Sequence, residues 1–294
     1  MRRSVVATTT LMLLLTAGSA AAQRRVDERV ATPATGVVEV HNVAGSVRVT
    51  GWERNEVQVT GTLAPQVERL EVTPSGDRVV VRVVTPRNVR RLEDSDLEVR
   101  VPVRKDLHVR TVSADVDVGE VRPGEVRVGS VSGEVRVRAE VRSLAEVESV
   151  SGDVTVEAGA AEVRAKSVSG DVRVRGGRRL QLGTVSGDVQ AQSDALELGR
   201  FESVSGEVSY SGALAANATL DARSHSGDVT LRLPERVAAD FNAQSFSGDI
   251  SNAFGPAAER ESRYGPGRKL QFSTGRGARV SAQTFSGDVR LLRR

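Results

Sequence analysis

What most limits this chain is a six-residue phrase that returns at nearly even intervals. It reads SVSGEV at Ser130 and Ser203, SVSGDV at Ser149 and Ser167, and TVSGDV at Thr184, then SHSGDV at Ser224, SFSGDI at Ser245 and TFSGDV at Thr284. With the glycine of each phrase as reference (Gly133, Gly152, Gly170, Gly187, Gly206, Gly227, Gly248, Gly287), successive steps are 19, 18, 17, 19, 21, 21 and 39 residues. The last step is close to two of the preceding ones. TVSADV around Ala114 and NVAGSV around Gly45 carry the phrase toward the start. A unit of this length cannot bury an apolar face alone and gains a core only by stacking on its neighbours.

Apolar residues hold fixed places around each glycine, at seven, five and two residues before it and at two and four after it. For Gly170 these are Val163, Ala165, Val168, Val172 and Val174; for Gly248 they are Phe241, Ala243, Phe246 and Ile250, with Asn252 the exception. Alternation on both sides of Ser-Gly-Asp reads as two short strands joined by a corner, with Val168, Val172 and Val174 facing a core. The fold class this predicts is all-β, a single-chain parallel β-solenoid with rungs of about 19 residues, in which equivalent positions stack about 4.8 Å apart into ladders. A propeller blade needs about twice this period, and sandwiches do not repeat their sequence. A left-handed hexapeptide helix is disfavoured because Val150 and Val156 are followed by Glu162. Parallel crossovers favour the right hand.

The 3% aromatic content fits such a core, which is built from small β-branched residues. Arg2 and Arg3, the apolar run Val5 to Ala17 and the small residues Ala20 to Ala22 read as a signal peptide over 1–22. Export to the periplasm or the exterior is therefore expected, with cleavage near Ala22. The chain has no cysteine, which excludes disulfides and a lipoprotein anchor. No later stretch has the length and apolarity of a membrane span. The formal charge of +3 falls to +1 without Arg2 and Arg3, and acids and arginines are interspersed, so no nucleic-acid partner is expected.

Residues 23–35 read as a flexible N-terminal segment and 36–294 as the solenoid domain. Within it, 36–110 are irregular first coils, including a hairpin around Ser75-Gly76-Asp77. Residues 111–251 are the regular rungs, 252–277 a loop insertion, and 278–294 a final coil whose Arg293 and Arg294 blunt the C-terminal edge.

The opening GVVEVHNVAGSVRVTGWERNEVQV, the strand VRVPV before the array and the SVSGDV rungs together resemble the bacterial exported, adhesin-like domain family of unknown function DUF4097. The resemblance covers nearly the whole chain after the leader. It implies a β-helical fold and brings no catalytic motif.

The acids that follow the corner, Asp115, Glu134, Asp153, Asp171, Asp188, Glu207, Asp228, Asp249 and Asp288, should form a row. A cation-binding β-roll would make Asp153, Asp171, Asp188, Asp228 and Asp249 its ligands, but one acid per corner falls short of the 6 to 8 oxygens that Ca²⁺ takes. The row is therefore read as turn caps paired with arginines such as Arg136, Arg173 and Arg290, with no metal and no cofactor. Hydroxyls stand three residues and one residue before each glycine; a serine copied in every rung is structural, not a nucleophile. His41 and His108 fall on outward positions, and His225 shares the column of Val204, Phe246 and Phe285. The 252–277 segment, with Glu259, Arg260, Glu261, Arg263 and Tyr264, is the best place for a specific contact and for the alternative reading, a carbohydrate-active β-helix enzyme. The leading expectation is a non-enzymatic, monomeric binding or scaffold module that takes a cell-surface glycan or an envelope protein.

Overall fold

The computed structural model describes residues 24–86, 92–159, 161–260 and 266–294. The segment read as a signal peptide lies outside them, as do Glu261, Arg263 and Tyr264. The described residues contain strands and turns and no helix, and the strands join one 23-stranded, mostly parallel sheet. No helix among them is long and apolar enough to cross a membrane.

Two parallel ladders run through the regular rungs, one on each side of the corner. Before the corner, Glu125–Ser132 pairs with Leu144–Ser151, which pairs with Glu162–Lys166, then Arg179–Ser186 and the second half of Val189–Ser205. Beyond the corner, Val135–Ala139, Val154–Ala158, Val172–Arg175 and the first half of Val189–Ser205 pair in the same order. Glu125 opposes Leu144, Leu144 opposes Glu162 and Glu162 opposes Arg179, so each strand sits on its equivalent one repeat away.

The columns at seven and five residues before the glycine and at two and four after it are buried. Val163, Ala165, Val172 and Val174 are all within 1% of complete burial. Volumes compensate along the column. Gly199 occupies a core position because a Cβ there would lie 2.8 to 3.0 Å from side-chain atoms of Leu196, Leu220 and Phe201.

The column two residues before the glycine does not face the core. Val112, Val131, Val150, Val168, Val185, Val204, Phe246 and Phe285 are 46 to 49% exposed. Strand parity explains the correction. Positions seven, five and three before the glycine share one face, so the inward residue next to the corner is the hydroxyl: Ser167, Thr184, Ser203 and Ser224 are each 6% exposed and Ser245 is fully buried. The valine that follows must point out.

The order of stacking also departs from the order of the sequence. The final coil is not terminal in space. Ala278–Ser286 lies between Val208–Ser226 and Ala239–Ser247, parallel to both, and Val289–Arg293 lies between Val229–Leu233 and Ile250–Asn252. Arg293 is exposed but paired opposite Leu233, and the Arg294 N–H donates to the Leu233 carbonyl. The exposed C-terminal edge belongs instead to the 252–277 segment. Its strand Arg268–Ser273 pairs antiparallel with Ala239–Ser247, and Phe272 stacks on Phe241 with ring centroids 4.7 Å apart.

The N-terminal end mirrors this arrangement. Val37–Trp52 has Asp106–Gly119 on one side and, on the other, Arg78–Val84 and Ser95–Pro102, which come later in sequence. Arg69–Ser75 and Arg78–Val84 form the hairpin about Gly76, whose φ is 61°. Residues expected to be flexible are ordered: Arg24–Ala31 is a strand antiparallel to Glu56–Leu63, because extended backbone beside an open sheet edge finds its hydrogen-bond partners there. Both ends thus close with antiparallel strands.

Candidate functional site

The corner glycine is imposed by stacking. A Cβ on Gly170 would lie 2.3 Å from the Gly152 carbonyl oxygen, and on Gly152 2.1 Å from that of Gly133. The same contact links Gly248 to Gly287 and Gly287 to Gly227, which carries the swapped order of the last rungs into the corners. With glycine there, the acid and hydroxyl rows on either side are brought into register.

The aspartates of the acid row accept backbone hydrogen bonds from the next rung, except Asp249 at its end, which meets Arg268 at 2.7 Å. The N–H groups of Asp171, Asp188 and Glu207 donate to Oδ1 of Asp153, Asp171 and Asp188 at 2.8 to 2.9 Å, and Asp288 and Asp249 donate to Asp228 and Asp288 at 2.8 and 2.9 Å. The second oxygens meet arginine. Arg173 bridges Asp171 and Asp153 at 2.5 and 3.3 Å, Arg290 bridges Asp228 and Asp288 at 2.7 and 3.0 Å, and Arg136 pairs with Glu134. Contact with Asp228 and Asp288 raises the Arg290 pKa, hydrogen bonding to Asp228 first. The carboxylates Asp153, Asp171, Asp188, Asp228 and Asp249 are thus strung along the stack and spent on N–H groups and guanidinium ions. Among the described residues, no group of three or more His, Cys, Asp or Glu side chains is placed to hold a metal.

The inward hydroxyls form a second chain. Thr184, Ser203, Ser224, Thr284 and Ser245 each donate to the corner-glycine carbonyl of the neighbouring rung, at 2.8 to 3.0 Å. Burial and this bond leave them structural.

The outward column runs the length of the rungs and stays half-exposed. In spatial order it runs Val112, Val131, Val150, Val168, Val185, Val204, His225, Phe285, Phe246. It ends in a stack, with His225 and Phe285 centroids 5.0 Å apart and Phe285 and Phe246 4.7 Å apart, the rings within 9° of parallel. Lys166, Glu202 and Arg223 border it, with Val185, Val204 and His225, around a groove of about 570 Å³.

Other sequence candidates scatter. His41 and His108 are half-buried near Glu39, at 4.0 Å each. Burial, with Arg82 and Arg110 nearby, lowers the His41 pKa against the opposing pull of Glu39. Glu259 and Arg260 pair with Lys269 and Arg268 in a short antiparallel bridge at the C-terminal end. Sequence reasoning passed over Tyr210 and Lys105. The Tyr210 hydroxyl donates to the Ser193 and Ala213 carbonyls, and burial raises its pKa; burial lowers that of Lys105, whose ammonium bonds the Asp77 carbonyl. Both are fully buried.

No curated protein matches the chain in sequence. Among solved structures, an adhesin candidate from Bacteroides fragilis is 11% identical, over 92% of this chain and 99% of that one, with a TM-score of 0.42. An adhesin candidate from Parabacteroides merdae is 10% identical, over 72% and 90%, with a TM-score of 0.38. A lipid-binding candidate from Parabacteroides distasonis is 11% identical, over 91% and 96%, with a TM-score of 0.45. The Toastrack DUF4097 family model matches residues 44–292, a span that takes in every rung from Gly45 to Gly287, and the chain belongs to that family.

Proposed function

We propose that the chain is a non-enzymatic binding or scaffold module of the cell envelope, adhesin-like in use, exported by the segment 1–22 and presenting its outward ladder to a glycan or an envelope protein. Its rungs of about 19 residues wind as a β-solenoid, right-handed like other parallel crossovers. One observation carries the reading: an apolar column in which Val112, Val131, Val150, Val168, Val185, Val204, Phe285 and Phe246 are each 46 to 49% exposed. A contiguous exposed apolar strip on a rigid support is what a contact surface needs. The hydroxyl and acid rows argue against catalysis, since both are engaged in bonds between rungs.

The test is retention of the purified protein on cell-wall glycan and on envelope protein, wild type beside Val168→Asp and Phe246→Ala. The proposal expects retention that either substitution weakens without lowering the melting temperature. Release of new reducing ends from the glycan, or retention indifferent to both substitutions, would overturn it.

A further inference from the structure

The outward column has a neighbour that points to its partner. Four residues before each corner position, on the same face of the strands, stand Arg110, Gly129, Glu148, Lys166, Gly183, Glu202, Arg223, Gln283 and Gln244, in spatial order. Two adjacent pairs in this file carry opposite charges, Glu148 beside Lys166 and Glu202 beside Arg223, yet Arg110, Glu148, Lys166 and Glu202 form no ion pair among the described residues. Charges one column further from the corner are engaged: Arg164 meets Glu162 at 2.6 Å, Arg127 meets Glu146 at 3.2 Å, and Asp221 takes Arg223 of the file itself at 2.7 Å.

Read backwards, the file is complementary to itself. About the central rung, Glu148 falls opposite Arg223, Lys166 opposite Glu202 and Gly183 opposite Gly183, while Arg110 and Gly129 meet the neutral Gln244 and Gln283. The apolar column obeys the same reversal in size: Val112, Val131 and Val150 meet Phe246, Phe285 and His225, Val168 meets Val204, and Val185 meets itself. No like charges meet in these two files. In the next file the reversal opposes Glu146 to Asp221 and Arg164 to Arg200, where all but Arg200 are already neutralised within their own chain.

We infer that the outward column is covered by a second copy of this chain, packed antiparallel about a two-fold axis that runs along the strands through Val185. This rests on reading the column as a contact surface and names its partner. A two-fold axis along the strands sets each column against itself in reverse, which brings the charge file's opposite charges together and no like charges. Nine rungs at about 4.8 Å span about 38 Å, and a strip about 20 Å wide along them gives roughly 800 Å² per copy, the size of a standard specific interface.

Sedimentation velocity on the purified full chain across a micromolar dilution series tests this. The wild type sediments as a dimer. Val185→Asp, which sets two carboxylates against each other on the axis, gives a monomer with unchanged circular dichroism and melting. Lys166→Glu raises the dissociation constant by about tenfold or more, and adding Glu202→Lys in the same chain restores it, because the pair is exchanged and kept. A monomeric wild type, a dimer indifferent to Val185→Asp, or a double variant no better than Lys166→Glu overturns the inference. A monomer still retained on glycan or envelope protein through Val168 and Phe246 refutes the second copy and leaves the contact-surface reading standing. A monomer retained on neither refutes both.

Discussion

At the scale of the residue, one atom decides why the phrase repeats. The missing Cβ of Gly170 leaves 2.3 Å to the Gly152 carbonyl, so Gly170→Ala must push two rungs apart. It should cost about 1 to 3 kcal/mol, read in denaturant melts. The aspartates are held by hydrogen bonds instead. Asp171→Ala removes the acceptor of the Asp188 N–H and an Arg173 contact at a half-exposed site, for about 1 kcal/mol. Because the aspartates of the row are already engaged, adding Ca²⁺ or EDTA should leave the melting temperature of the wild type where it was; a shift of many degrees would restore the cation reading. His41 supplies a pH dependence. Its pKa is lowered from 6.5 on folding, so the unfolded chain binds its proton more readily and stability falls as pH drops below about 6.5. A His41→Gln variant should lose part of that slope between neutral and mildly acid pH.

At the scale of the element, Ala278–Ser286 and Val289–Arg293 act as an inserted layer between coils that precede them in sequence. Ending the chain at Arg276 should therefore strip the parallel partner from both 219–233 and 239–252, and the remnant should lose its cooperative thermal transition by circular dichroism. A remnant that melts like the intact chain would mean the last coil is peripheral after all. The strands, their parallel pairing at one repeat and the corner were legible in the alternation of Val163, Ala165, Val172 and Val174. The insertion was not, because every rung carries the same phrase and any rung can stack on any other. The outward column was not legible for a different reason: an apolar residue fixed two places before every glycine reads as core, whereas the parity set by Val163 and Ala165 puts Ser167 inside and Val168 out. Hydroxyls bonded to glycine carbonyls make a buried column that hydrophobicity cannot flag.

At the scale of the whole molecule, a parallel stack turns one residue type into a strip along its length, and here the exposed strip is apolar from Val112 to Phe246 with reversible charge beside it. The inward hydroxyl row and the aspartates of the acid row are taken up by bonds between rungs. That this face is a contact surface is the central claim, and the absence of cysteine makes it directly measurable. A single cysteine at Val185 should react with maleimide at nearly the rate of a free thiol in dilute native protein. It should slow as the protein's own concentration rises or as envelope material is added. A cysteine that reacts only on unfolding, or at one rate under all these conditions, would contradict the account.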